Sequence, residues 1–215
     1  MNETQWGEFL AGAGVAATPA TTWAPLFAQA ITPDVMDGPE LCAFMGQVLW
    51  ESGKLTTLSE NLNYSSTALV GVFGAHRITQ EQASEFGRTS EHPCDQQSVA
   101  NIVYGGAWGE KNLGNTEPTD GWDFRGSGLI QITGRANFQA AMDDTGVDFI
   151  ANPVLLRQPG VEAVQAALGF WRRVVKDKWS DATALRRAVN GGLNGLDQAI
   201  AETATVTASY TTATA

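Results

Sequence analysis

From Leu41 to Trp50 the chain reads Leu-Cys-Ala-Phe-Met-Gly-Gln-Val-Leu-Trp, a run that is apolar nearly all round and ends on a carboxylate, Glu51. A helix without a polar face has to lie inside the protein. This run therefore predicts a buried central helix that delivers an acid to its margin. Two positions later comes Gly53, the residue most tolerant of positive φ and a natural helix C-cap. Beyond it lies a second carboxylate, Glu60, in Ser59-Glu60-Asn61-Leu62-Asn63-Tyr64.

The spacing of the two acids limits what they can do together. On one unbroken helix the step from 51 to 60 turns through about 900° and leaves Glu60 on the opposite face, roughly 13 to 14 Å along the axis. A break at Gly53 lets Leu55 to Glu60 fold back, so that Glu60 faces Glu51 across a cleft. Enzymes that cleave sugars with inversion hold two carboxyls roughly 6.5 to 9.5 Å apart, with room for a water between base and ring; the spacing permits that arrangement. Glu51, partly shielded from water at the end of an apolar helix, is the candidate general acid. Glu60, among side chains that hydrogen-bond a carboxylate, is the candidate general base. The competing reading makes Glu51 a helix-end acid paired with a Lys or Arg, and Glu60 a solvated loop residue.

A glycine-rich segment follows: Tyr104-Gly105-Gly106, then Gly121-Trp122-Asp123-Phe124-Arg125-Gly126-Ser127-Gly128-Leu129-Ile130-Gln131-Ile132-Thr133-Gly134-Arg135-Ala136-Asn137-Phe138. Glycines let a backbone approach a ligand closely. A period-two reading of Leu129 to Thr133 predicts a short strand with Gln131 and Thr133 looking into a cleft and Ile130 and Ile132 packed inward.

Taken in order, Glu51-Ser52-Gly53, Glu60 to Tyr64, Tyr104-Gly105-Gly106, Phe124 to Phe138, Asn152-Pro153 and Asn190-Gly191-Gly192-Leu193-Asn194-Gly195 resemble glycoside hydrolase family 19, in a compact form similar to phage endolysins. The resemblance runs from about residue 40 to 197. It implies a mainly α, lysozyme-like fold with a minor β-ribbon and two lobes around a cleft. It also implies hydrolysis with inversion, without metal or cofactor. Residue by residue, it makes Glu51 the proton donor, Glu60 the second carboxylate, and Thr133 the hydroxyl that helps hold the attacking water. Gln131, Asn137 and Asn190 match polar residues of the sugar-binding cleft, and Tyr64 and Arg125 fall within its walls. Three positions depart from the family's usual residues. Ser127 stands where a basic residue is usual, and Ala107 replaces an arginine. Asp197-Gln198-Ala199 lacks an arginine that helps orient the second carboxylate.

Helix signals fill most of the remaining chain. Met1 to Gly14 reads as an amphipathic helix, and Ser65 or Ser66 caps a helix through Phe73. Thr79 and Gln82 make a capping box before a helix that Gly87 ends, and Pro93 begins another that runs to Gly105. These last three are expected to form a small lobe over residues 63–105. Further helices are expected at Ala136 to Thr145, Val161 to Lys176 and Ala182 to Val189. Residues 1–205 read as one catalytic domain. Residues 206–215 belong to an Ala/Thr/Ser-rich tail, from about Ala204, with little to anchor it and at most weak helix.

A net charge of -10 argues against a nucleic-acid partner, which needs a basic stripe, and against adhesion to anionic membranes. No run of about 18 apolar residues is present to span a bilayer. His76 and His92 stand apart without a ligand pattern, which gives little support to a zinc amidase or peptidase. The expectation is a monomeric endolysin cutting β-1,4 bonds in peptidoglycan. Made in a host cytoplasm, it would act in the periplasm after export assisted by a holin. The alternatives are a chitinase and a sugar-binding protein without turnover on the same fold.

Overall fold

The computed structural model describes residues 1–215, and helices fill most of it. The first, α1 (Glu3–Gly12), is closed by a capping box in which Asn2 accepts from the Gln5 amide and the Gln5 side chain accepts from the Asn2 amide. α2 (Ala17–Ala30) carries Trp23 and Phe27 into the core. α3 (Gly38–Glu51) is the expected central helix, buried from Leu41 to Leu49. It ends in three successive left-handed residues, Gly53, Lys54 and Leu55, at φ 53°, 56° and 68°. Ser52 staples this turn: its Oγ donates to the Val48 carbonyl at 2.6 Å and accepts from the Leu55 amide at 2.9 Å. The chain is thereby sent back toward the end of α3.

A small lobe follows, built from α4 (Ser66–Phe73), α5 (Gln80–Phe86) and α6 (Gln96–Val103). It encloses its own core of eight buried residues, among them Leu62, Leu69, Phe73 and Ile78, separate from a main core of 38. The Thr79–Gln82 capping box forms as expected. α6 starts later than Pro93, because Asp95 accepts from the Ser98 amide at 3.1 Å and acts as the cap.

α7 (Gly106–Leu113), α8 (Asp120–Asp123) and α9 (Arg135–Thr145) return the chain to the main lobe. Asp120, 1% exposed, ties them together. It accepts from Arg135 Nε and Nη2 at 2.8 and 2.6 Å and from the amides of Thr116 and Glu117 at 2.9 and 3.0 Å. Burial pushes its carboxyl up, but Arg135 and the two amides outweigh burial and hold it below the usual range. A carboxyl depressed by folding contributes stability above its unfolded value, near about 4, and loses it as pH falls through the folded value. Replacing Asp120 with Ala leaves Arg135 and two amides without their acceptor, and is expected to cost about 3–5 kcal/mol at neutral pH. Urea titrations at pH 7 check the loss, and the gap from wild type narrows as pH falls below about 4.

Between α8 and α9 the expected strand at Leu129 to Ile132 does not form. Gly128 and Gln131 take φ of 80° and 55°, so the segment turns on itself, and pairing shrinks to isolated bridges from Ser127 to Ser59 and to Ile132. Leu129, Ile130 and Ile132 are all buried, and only Gln131 and Thr133 keep some exposure.

After a 3-10 turn at Pro153–Arg157, α10 (Val161–Phe170) packs against α2 and α9. The single helix expected through Lys176 is interrupted. Trp171–Val175 widens into a π-turn that seats Trp171 and Val175 in the core, and Lys176 turns at φ 51° into a 3-10 segment. α11 (Ala182–Asn190) is capped by Asp181 and closed by Gly191 in the left-handed conformation. α12 (Leu196–Ala213) includes the segment expected to lack anchoring, and packs along α3 and α1. Its anchors are small residues in close approach: a Cβ on Gly46 would meet Thr203 Oγ1 at 2.1 Å, and one on Gly12 would meet Ser209 Oγ at 2.2 Å. No helix is long and apolar enough to cross a membrane.

Candidate active site

Glu60 is held on three sides. Its amide donates to the Gly126 carbonyl at 2.8 Å, and the Gly126 amide donates back to Oε2 at 3.1 Å. Its other oxygen, Oε1, accepts from the Tyr104 hydroxyl at 2.6 Å. Glycine at 126 eases this approach, since a Cβ there would lie 3.0 Å from Gln131 Oε1 and 3.2 Å from Glu60 Cβ, and both side chains would have to give. Burial, and then the charge of Glu60, push the Tyr104 phenol well above its ordinary range, so it remains a donor at any working pH. Loss of a hydrogen bond to a charged group costs about 1.5–3 kcal/mol. The variant Tyr104→Phe is therefore expected to lower turnover between about ten- and a hundredfold with a native circular-dichroism spectrum, as measured by initial rates of reducing-end release.

Glu51 closes α3 with its side chain 15% exposed. Its Oε1 pairs with Nη1 of Arg186, a guanidinium only 3% exposed. Arg186 is held in turn by the Asn194 carbonyl, to which Nε donates at 2.7 Å, and by Gln47, whose Oε1 accepts from Nη1 at 3.1 Å. The reading of Glu51 as a helix-end acid with an arginine partner is thus right about the partner. It does not compete with a site, because Glu51 also lines the cavity that Glu60 lines.

That cavity, about 670 Å³, opens between the lobes. Its lining brings together Glu51, Glu60, Tyr104, Gln131, Thr133, Asn137 and Asn190, from five separated stretches of chain. A ladder of local bonds sets the polar wall. Gln131 Nε2 donates to the Gly128 carbonyl at 3.0 Å, Thr133 Oγ1 to the Gln131 carbonyl at 3.0 Å, and Asn137 Nδ2 to the Thr133 carbonyl at 2.8 Å. Apolar lining comes from Leu113, Ile130, Ile132, Phe170 and Val174. Carboxyls, amides and a hydroxyl over apolar patches suit the alternating polar and apolar faces of sugar rings.

Tyr64 and Arg125 stand behind this lining rather than on it. Tyr64 packs edge-on to Phe73 at 5.4 Å in the small-lobe core. Arg125 lies over Trp122 at 3.6 Å and donates to the Trp122 carbonyl at 2.7 Å. Both still feel the site: burial and then Glu60 raise the Tyr64 phenol, while burial lowers the Arg125 guanidinium against the pull of Glu60. At one of the three departures, Ser127, a guanidinium arrives from elsewhere in the chain. Arg157 Nε donates to Ser127 Oγ at 2.8 Å, with burial and then Arg125 lowering that guanidinium to about 10. Sequence reasoning did not single out Tyr104 or Arg186 as site residues. The Tyr104-Gly105-Gly106 motif was a signal for the first, but none pointed to the second.

No family model matches the chain. A protein of Haemophilus influenzae described as a glycosyl hydrolase family 19 domain-containing protein is 32% identical over 155 residues, 72% of this chain and 72% of that protein. The chain belongs to glycoside hydrolase family 19. Another relative, Chitinase 8 of Oryza sativa subsp. japonica, is 32% identical over 99 residues, 45% of this chain and 36% of the rice protein. Chitinase C from Streptomyces griseus shares the fold, at TM-score 0.51 and 19% identity, over 97% of this chain and 76% of that one. Family 19 membership makes the protein a glycoside hydrolase and accounts for its α-rich, lysozyme-like architecture.

Proposed function

We propose that this family 19 hydrolase is an endolysin that cuts β-1,4 bonds of N-acetylated amino sugars in peptidoglycan, with inversion at the anomeric carbon. Glu51 gives its proton to the leaving oxygen as the C1–O bond breaks. Glu60 takes a proton from the water that attacks the opposite face of the ring. Thr133, whose own hydroxyl hydrogen is committed to the Gln131 carbonyl, offers that water an oxygen acceptor. Gln131, Asn137 and Asn190 bond the sugar hydroxyls and acetamido groups. The observation that carries this reading is the single cavity on which both glutamates and Thr133 converge.

Two polymers offer the bond. Peptidoglycan is favoured by the motif order, which resembles that of phage endolysins. Chitin is the second reading, favoured by the likeness to the rice chitinase. The protein would act as a monomer in the periplasm, reaching it from the host cytoplasm through a holin pore. Purified protein is expected to release new reducing ends from permeabilised Gram-negative walls and far fewer from chitin, with the α-anomer first in the proton NMR spectrum of the products. Cleavage of chitin alone would overturn the endolysin reading, and a first-formed β-anomer the inverting one.

A further inference from the structure

We propose that Arg186 is a positioning residue that decides which oxygen of Glu51 carries the transferable proton and stabilises the carboxylate left once the proton has gone. The inference rests on the reading of Glu51 as general acid. Arg186 engages Oε1 of Glu51, and an oxygen that accepts from a guanidinium is a poor place for a proton. The acid proton therefore sits on Oε2. Arg186 has no freedom to follow a different rotamer, because its Nε is fixed on the Asn194 carbonyl and its Nη1 is shared with Gln47, one helical turn before Glu51 on α3.

The charge balance makes this more than a scaffold. Before transfer, the buried guanidinium faces a neutral carboxyl. As the Oε2–H bond breaks, its hydrogen moves to the glycosidic oxygen, the C1–O electron pair stays on the departing sugar, and Glu51 becomes an anion 1:1 with Arg186. The pairing is strongest in the state that transfer creates, so it lowers the barrier rather than merely holding the ground state. No other cation bonds this carboxylate. Lys54, the nearest in sequence, is turned toward the Ala13 carbonyl at 2.6 Å and Glu202 at 2.8 Å.

The test separates leaving groups. A glycan oligomer prepared from peptidoglycan needs a proton on its departing oxygen, whereas the dinitrophenyl glycoside of the same oligomer departs as a phenolate and needs none. Arg186→Met is expected to lower kcat about a hundredfold on the oligomer with KM little changed, and to remain near wild type on the dinitrophenyl glycoside, with Arg186→Lys recovering part of the loss. Equal losses on both substrates would overturn the proposal and leave Arg186 a structural residue. Glu51→Gln, run beside them, tests the parent reading: if it too loses equally on both, or on neither, the acid assignment itself is wrong. Should Arg186→Met lack a native circular-dichroism spectrum, Arg186→Lys carries the same comparison with the same two outcomes.

Discussion

Glu51→Gln is expected to abolish glycan cleavage, with a fall in kcat of about 10²–10⁴-fold and possession of a native fold. The substitution is close to isosteric. Its carboxamide oxygen can take the place of Oε1 as acceptor for Arg186, so the end of α3 and the buried guanidinium keep a partner. What disappears is the proton. Without it the departing sugar must leave as an alkoxide, the least favourable leaving group the reaction offers. Outright removal, Glu51→Ala, adds a second fault, because it strands a guanidinium that is 3% exposed, and this variant is expected to lose stability as well as activity. Reducing-end assays on wall fragments, with melting curves on both variants, separate the chemical loss from the structural one. A Glu51→Gln protein that kept more than about a tenth of the wild-type rate would remove Glu51 from the mechanism.

How much of this was legible in the chain depends on what kind of signal each element carries. α3 was legible because an all-round apolar run has one physical outcome, burial, and the glycine after it has a positive-φ turn to make. The Thr79–Gln82 box was legible because both halves of the bond lie three residues apart. α2 was not, since its Ala, Thr and Pro residues lack a strong helical pattern; Pro19 sits in the first turn, where its missing N–H removes no helical bond. The anchoring of α12 was hidden for a related reason. Hydropathy marks large apolar side chains, whereas Gly12 against Ser209 and Gly46 against Thr203 pack by being small. At Leu129 to Ile132 the alternating pattern pointed to a strand, but Gly128 and Gln131 in left-handed conformations fold the segment over and bury its apolar residues together.

The site divides along the same line. Glu51, Glu60, Gln131, Thr133, Asn137 and Asn190 reach one cavity, as the order of motifs led one to expect. Their immediate partners did not announce themselves. Arg186 lies 135 residues from Glu51 in sequence. Local spacing carries no information about a contact of that range; only the folded chain brings the Arg186 side chain on α11 to Gln47 and Glu51 on α3.

Glu60→Gln is the second large loss expected, again about 10²–10⁴-fold in kcat, and its geometry makes the cause separable. Each Glu60 oxygen serves one donor, Oε1 the Tyr104 hydroxyl and Oε2 the Gly126 amide. A glutamine has one oxygen. The Gly126 amide can only donate, so it takes the carbonyl, and the new NH₂ turns to Tyr104, whose hydroxyl can rotate to accept. The side chain stays in place, the cavity keeps its shape, and the base alone is lost. KM is therefore expected to change little while kcat collapses. Azide extends the test, because it attacks carbon without surrendering a proton. Added to Glu60→Ala, which has room for it, azide should restore cleavage and give a glycosyl azide of inverted configuration. Such rescue follows only if Glu60 works on the attacking water. If it served merely to hold the sugar, a small anion in its place would leave the rate as low as before.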